Sequence, residues 1–219
     1  MKKAVCLISG GMDSCVAATM AKKDGYEIYA LTLDYGQRNK KEIAFAKKIC
    51  KSLKVKKHII MKIDLSSLNS ALIDKRAKMP QRVKRGEIPS TYVPARNTIF
   101  ISLALALAET FDAEAIVIGI NSVDFSGYPD CTPEYATRFQ QLIDVATKKT
   151  AEGKKIKLKT PLLRMSKQEI IRKGVSLGID LQSLTWSCYE SGEKPCGRCP
   201  SCLIRTNAFA AITQKNSRS

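Results

Sequence analysis

The sequence predicts a doubly wound α/β fold on a mainly five-stranded parallel sheet, and three observations predict it. Apolar runs of strand length alternate with helix-length amphipathic segments along most of the chain. The fourth of these runs, residues 115–120, is apolar on both faces, as a central parallel strand is. Polar clusters repeatedly follow the end of a strand, where open α/β sheets place their ligands.

The first strand is expected at 4–8 and empties into Ser9-Gly10-Gly11-Met12-Asp13-Ser14. Helical spacing follows at 16–21, continues to about Lys23, and stops at Gly25. Adjacent glycines let the backbone turn tightly and approach a ligand closely. Ser14 is expected to cap the helix, whose first N–H groups are unpaired and point back at the turn. That geometry binds anions, phosphates above all. The turn lacks the lysine of G-x-x-x-x-G-K-[ST] and does not read G-x-G-x-x-G. Asp13 suits a Mg²⁺ ion bridging phosphate oxygens. The plain alternative is an ordinary strand–turn–helix corner.

A second strand at 27–33 finishes at Asp34-Tyr35-Gly36-Gln37-Arg38. The helix at 41–53 places Ile43, Ala46, Ile49, Cys50 and Leu53 on one face. A third strand is expected at 57–63, with the single histidine, His58, near its start; no partner cluster surrounds it, so it reads as a surface or satisfied core residue. Residues 64–90 are irregular and rich in cations, including Lys75, Arg76, Lys78, Arg82, Lys84 and Arg85. A stretch of that length suits a mobile flap over an anionic substrate.

Residues 98–110 have the pattern of a buried helix. Arg96 and Asn97 stand at its start: Arg96 can fork onto phosphate or carboxylate, and Asn97 either joins it or simply caps the helix. The fourth strand, 115–120, runs into Asn121, Asp124, Ser126-Gly127-Tyr128-Pro129-Asp130 and Cys131. A helix at 133–150 and a fifth strand at 156–159 follow. Ser166-Lys167-Gln168-Glu169 reads as a capping box. Lys167 is unfavourable in that first turn unless an anion lies nearby; otherwise it is a solvated lysine.

At 219 residues and 44% apolar content, the chain suits one α/β domain with a small appendage. It has no apolar run of membrane-spanning length, about 18 residues. Met1-Lys2-Lys3 leads straight into a strand, so a cytoplasmic protein without a signal peptide is expected. The net charge of +17 admits a nucleic-acid partner, a polyanionic substrate or a lysine-rich surface. Scattered pairs such as Lys40-Lys41 and Lys47-Lys48, with only 6% aromatics, favour the surface.

Eight cysteines in a cytosolic chain argue for metal or reduced thiols rather than disulfides. Cys6, Cys15, Cys50 and Cys131 are dispersed, whereas Cys188, Cys196, Cys199 and Cys202 are clustered. Four thiolates at that spacing suit a closed, structural Zn²⁺ site, with an iron–sulfur cluster as the rival. Such a zinc site contributes about 10–16 kcal/mol of apparent binding free energy, enough to fix a tail that is otherwise unfolded.

The segment 9–14 resembles the pyrophosphate loop of the N-type ATP pyrophosphatases, which use ATP to activate a carboxyl or carbonyl oxygen. The ordered set of 9–14, 34–38, 93–97, Gly119-Ile120-Asn121, Asp124, 126–131, Ser187-Cys188-Tyr189 and Cys196-Gly197-x-Cys199 resembles the 7-cyano-7-deazaguanine synthase (QueC) family over nearly the whole chain. The resemblance implies a Rossmann-like sheet of adenine nucleotide alpha hydrolase type. Residues 1–180 would form the ATP pyrophosphatase-like domain, and 181–219 a four-cysteine zinc segment packed on it.

The implied substrates are 7-carboxy-7-deazaguanine and ammonia, with ATP, Mg²⁺ and Zn²⁺. The implied product is the nitrile 7-cyano-7-deazaguanine, which feeds queuosine or archaeosine in tRNA. Direct tRNA binding and a membrane partner are not expected, and a homodimer is left open. The implied nucleotide site comprises Ile8, Ser9, Gly10, Gly11, Met12, Asp13, Ser14, Cys15, Val16, Ala17 and Ala18, with Asp34, Tyr35 and Gln37. Asp13, Lys167 and Arg96 would serve the chemistry. Arg96, Asn97, Asn121, Asp124, Tyr128 and Asp130 would meet the substrate.

Two positions depart from the family pattern: Asn39 stands where His often follows Tyr-Gly-Gln-Arg, and Pro200 where Asp commonly precedes Ser-Cys. Neither removes a thiolate or touches the phosphate loop. A tRNA-base-adenylating member of the same superfamily and a non-catalytic zinc RNA-binding protein are the rival functions.

Overall fold

The computed structural model of the chain describes residues 1–74, 76–80, 87–123, 127–190 and 192–216, with 213–216 described by their backbone alone. Five strands are present: β1 Lys3–Leu7, β2 Glu27–Asp34, β3 Lys57–Lys62, β4 Ala115–Val117 and β5 Lys157–Lys159. They form one parallel sheet in the order β3-β2-β1-β4-β5. The order reverses between β1 and β4, and such a switch point opens a crevice beyond the strand ends.

Side chains of alternate strand residues build two separate cores. Ala4 and Cys6 of β1, Ile28 and Ala30 of β2, and Ala115 and Val117 of β4 face one core. That core is shared with α1 (Met12–Lys23), α2 (Lys41–Ser52), α6 (Lys167–Ser176), α7 (Leu181–Leu184) and α8 (Pro200–Asn216). Val5, Leu7, Leu31, Leu33 and Ile116 face the other core, against α3 (Arg96–Thr110) and α4 (Pro133–Ile143). Ile28, Leu31, Ile116 and Ile170 lose all solvent contact. Each such side chain contributes about 1.5–3 kcal/mol of transfer free energy. Among the described residues, no helix is long and apolar enough to cross a membrane.

Several expectations are corrected. The strand at 115–120 pairs with β1 only through Val117, because Gly119 then passes against the backbone of Asp13. The helix at 133–150 breaks after Ile143 and restarts as α5 (Lys148–Ala151). Thr147 is extended and caps α5 by accepting from the Thr150 N–H, while the Thr150 hydroxyl accepts from the Thr147 N–H. A local cap of that strength outcompetes helix continuation. The 98–110 helix begins two residues earlier, at Arg96, and leaves Ser102 and Ala106 exposed.

The stretch 64–90 contains no strand or helix among its described residues, but much of it is packed. Leu72 and Ile73 are buried in the second core, and the Ala71 N–H donates to Ser90 O at 2.8 Å. Lys75, Arg82, Lys84 and Arg85 lie outside the described residues. His58 pairs with Thr32: Nε2 stands 2.8 Å from the Thr32 hydroxyl, which donates to Ile8 O. With its one proton so used, the hydroxyl accepts from Nε2–H. The ring is half-buried and tied to the sheet through that bond.

Candidate active site

At the switch point, α1 starts directly after the glycine turn. Its N-cap is Gly11, not Ser14; Ser14 lies inside the first turn, where its hydroxyl donates to Gly11 O at 3.0 Å and accepts from the Ser9 N–H at 3.2 Å. Ser14 therefore ties the turn to the helix instead of capping it. Gly10 has φ +92°, and an added Cβ there would stand 2.1 Å from Glu42 O. Gly119 is equally constrained, since its Cβ would stand 2.7 Å from the carbonyl carbon of Asp13. Both glycines let three backbones converge behind the loop.

Two helix N-termini meet here. Ser166 and Glu169 form the capping box that starts α6, so Lys167 is its first residue. Lys167 Nζ donates to Asp13 Oδ1 at 2.8 Å and Oδ2 at 2.7 Å. The carboxylate is the nearby anion that the lysine's position calls for. Asn121, four residues past the end of β4, holds this arrangement: its side-chain amide donates to the carbonyls of Leu162 and Met165, just before α6, and its oxygen accepts from the Val123 N–H.

A cavity of about 260 Å³ opens in front of these groups. The turn lines one side with Ile8, Ser9, Gly11, Met12, Asp13 and Ser14. Tyr35 and Gln37 line it from beyond β2, and Arg96 and Asn97 from α3. Asn121, Tyr128, Cys131 and Lys167 complete that half. Cys15, Val16, Ala17 and Ala18 instead turn into the first core, and Gly10, Asp34 and Asp130 lie outside the cavity lining. Asp124 lies outside the described residues.

Asp130 has a different setting from an exposed ligand-binding carboxylate. It is buried, and its Oδ2 accepts from the Asn97 N–H at 3.0 Å, in the first turn of α3. The Asn97 side chain donates back to Asp130 O at 3.1 Å. Of the two roles open to Asn97, the helix cap is taken by Asp130. Ala95 precedes in the left-handed region with φ 51°, a conformation that costs a non-glycine residue about 1–2 kcal/mol.

Arg96 leaves that corner toward the cavity, donating to the Tyr35 hydroxyl at 3.3 Å and lying 5.9 Å from the Tyr35 ring centre. Burial opposes its charge, but Tyr35, Tyr128 and Asp130 outweigh it and raise its pKa, so the guanidinium stays protonated. Among the described residues, no carboxylate pairs with it. Burial and Asp130 push the Cys131 thiol up to about 12, so at neutral pH it is no thiolate nucleophile.

The opposite wall comes from the C-terminal segment and was not foreseen. Trp186, Tyr189 and Arg205 line the cavity, as do Glu42 and Arg38 from the region after β2. The Trp186 N–H donates to Gly10 O at 2.9 Å, and its indole N–H to Cys188 O at 2.9 Å. Asn39 donates to Cys188 O and Glu190 O at 3.0 and 2.6 Å and accepts from the Lys41 N–H at 2.9 Å. The residue that departs from the family pattern therefore straps the cysteine segment to α2. Arg38 fastens the segment after β3 by donating to Asp74 O and Ala77 O at 2.8 and 2.6 Å. A lone tryptophan two residues before the first clustered cysteine was the available signal for this wall.

The sulfur atoms of Cys188, Cys196, Cys199 and Cys202 all lie within 4.8 Å of one another. Tetrahedral zinc with Zn–S bonds of about 2.3 Å needs sulfurs about 3.8 Å apart, so the donor set suits zinc. The Cys196 N–H donates to Cys188 Sγ at 3.3 Å, and the Cys199 N–H to Cys196 Sγ at 3.4 Å. Gly197, with φ +72°, supplies the turn between them.

The family model for the queuosine biosynthesis protein QueC matches residues 3–213. A 7-cyano-7-deazaguanine synthase of Saccharophagus degradans is 49% identical over 211 residues, covering 95% of this chain and 93% of the relative. One of Pseudomonas aeruginosa is 46% identical over 213 residues, covering 96% and 94%. Among solved structures, a 4-thiouridine synthetase–RNA complex with bound ATP superposes with a TM-score of 0.53 at 19% identity, covering 95% of this chain and 50% of that one. That likeness speaks for the fold alone. With a family match from the first strand into the last helix and nearly half of all residues identical to such relatives, the chain belongs to the QueC family.

Proposed function

We propose that the cavity is the active site of an ATP-dependent carbon–nitrogen ligase that makes 7-cyano-7-deazaguanine from 7-carboxy-7-deazaguanine and ammonia. The observation that carries this reading is one cavity holding a phosphate-type glycine turn, the Asp13–Lys167 pair and the Arg96 cation. The names of the relatives supply the product, 7-cyano-7-deazaguanine, from which the acid and ammonia are inferred.

A carboxylate is a poor electrophile, so one of its oxygens must first attack a phosphorus of ATP and become part of a good leaving group. Ammonia then displaces that group to give the amide. The amide oxygen is activated in the same way, and its departure with loss of the N–H protons gives the nitrile. Ser9, Gly11 and Ser14 would hold phosphates at the start of α1, with Gly10 making the turn behind them. Asp13 would carry Mg²⁺ once phosphate draws Lys167 away, and Lys167 would then offset charge on the phosphates. Oriented charges of this kind are worth about 10²–10³ in rate each.

Tyr35 and Gln37 would border the nucleotide, and Arg96 would take the substrate carboxylate by a forked contact. Asn97, Asn121 and Tyr128 would shape the substrate wall, with Asp130 acting through the first turn of α3. Zinc would supply no chemistry to the reaction; the closed four-cysteine set would hold the wall that carries Trp186 and Tyr189.

The test is nucleotide consumption by purified protein with and without 7-carboxy-7-deazaguanine. Turnover that requires the acid supports the reading, and chromatography then distinguishes AMP from ADP as product. ATP consumed only on addition of tRNA would overturn it in favour of a base-adenylating enzyme.

A further inference from the structure

The ligase reading leaves one chemical need unmet. Converting ammonia into a nitrile nitrogen removes every N–H proton, so some group in the cavity must accept them. Among the described residues the lining offers few candidates. Asp13 is held by Lys167, the Cys131 thiol is pushed up to about 12, and burial raises the phenols of Tyr35, Tyr128 and Tyr189. The only histidine is bonded to Thr32 on the sheet and does not line the cavity.

Glu42 remains. It lies in the first turn of α2 and lines the cavity. Its backbone is pressed against the phosphate turn, since a Cβ on Gly10 would meet Glu42 O at 2.1 Å. Asn39 fixes the start of the same helix through the Lys41 N–H. The titratable groups that face Glu42 are Arg96 from α3, Tyr35 beyond β2 and Tyr189 from the cysteine segment. No side chain among the described residues donates a hydrogen bond to its carboxylate, so the carboxylate is available to an incoming N–H.

We propose that Glu42 is the general base of amide and nitrile formation, accepting the protons that the nitrogen must lose. In amide formation the ammonia lone pair makes the C–N bond. One N–H proton passes to Glu42, and the C–O bond to the activated oxygen breaks with its electron pair leaving on the phosphate group. In nitrile formation the two remaining N–H protons are lost in turn, their electron pairs stay on the C–N unit as it becomes a nitrile, and the C–O bond to the second activated oxygen breaks with its electron pair leaving on the phosphate group. Between steps the glutamic acid returns each proton to water. Burial lifts the Glu42 carboxyl to about 7 against the opposing pull of Arg96, which matches a base working near neutral pH.

This proposal rests on the ligase reading, and its test separates the two. Glu42→Gln and Glu42→Asp are compared with the native protein in nitrile formation and in trapping of the activated acid by hydroxylamine, a stronger nucleophile that needs less help from a base. The expected result for Glu42→Gln is a fall of about 100-fold or more in kcat for nitrile, little change in KM, and retained hydroxamate formation. The native rise of kcat through pH about 7 should also vanish, and Glu42→Asp should recover part of the rate and the rise. A Glu42→Gln protein with native kcat and pH profile overturns the proposal. So does a change confined to KM, or loss of hydroxamate trapping along with nitrile, each of which marks a binding or folding role. Absence of nitrile from the native protein overturns the ligase reading itself, and the base with it.

Discussion

Lys167 Nζ donates to both carboxylate oxygens of Asp13, joining the first turn of α6 to the first turn of α1 across 154 residues of chain. Asp13 is favoured by the dipole of its own helix, whereas Lys167 is disfavoured by its helix and only 8% exposed. The carboxylate therefore makes the lysine's position tenable. Asp13→Ala should cost about 1.5–3 kcal/mol in chemical denaturation, as should Lys167→Ala. The double variant should cost less than the sum by about 0.5–3 kcal/mol. Strict additivity would show that the pair is not coupled.

Gly119→Ala should be far more damaging than its size suggests. The added Cβ meets the Asp13 and Ser14 backbone at 2.7–2.9 Å, and backbone cannot swing aside as a side chain can. We expect a loss of about 1–3 kcal/mol and a clear weakening of ATP binding. Gly25→Ala is the control: nothing lies within 4 Å of its built Cβ, so only its φ of +85° is penalised, and ATP binding should be native. Equal effects of the two on ATP affinity would contradict the close approach at the turn.

Metal removal has a built-in reporter, because Trp186 is the only tryptophan in the chain. It is 7% exposed, tilted against Phe45 with ring centres 5.4 Å apart, and bonded to Cys188 O. A strong chelator should shift its fluorescence to the red and lower the thermal midpoint. ATP affinity should fall in parallel, since the Trp186 N–H holds Gly10 O behind the phosphate turn. A red shift with unchanged ATP affinity would show that the cysteine segment does not support the turn.

Much of this was legible in local sequence. The five strands, the turn at Ser9 to Ser14, the capping box of Ser166 and Glu169, and the cysteine cluster each declare themselves within a few residues. What was not legible depends on partners distant in the chain. Asn39 reads as a departure until its bonds to Cys188 and Glu190 are seen. Asp130 reads as a ligand until it is found on the first turn of α3. Glu42 is an ordinary first-turn acid by sequence, and only the packing of Gly10 against it brings it to the site. The break at 144–147 rests on a reciprocal Thr147–Thr150 cap, a pairing that carries no hydrophobic signature in the sequence.

The raised Glu42 carboxyl also makes a prediction for stability alone. Its pKa moves from 4.5 to about 7 on folding, so the native state binds more protons between those values. Its contribution is therefore full below about pH 4.5 and is lost as pH rises through about 7. Glu42→Gln, which cannot titrate, should gain on the native protein steadily across that window and level off above it. Burial and Lys47 lower the pKa of His58, which gives the opposite slope near neutral pH, but that slope is common to both proteins. Parallel stability curves from pH 4.5 to 7 would contradict the buried setting of Glu42.

If the cavity turns a carboxylate into a nitrile, the product can be seen by mass. Mass spectrometry of zinc-replete protein incubated with ATP, Mg²⁺, ammonium and 7-carboxy-7-deazaguanine tests it most directly. The expected product is 7-cyano-7-deazaguanine, carrying ¹⁵N when the ammonium does, with none formed by Asp13→Ala. Unchanged 7-carboxy-7-deazaguanine after incubation with folded native protein, or nitrile formed equally well by Asp13→Ala, would contradict it.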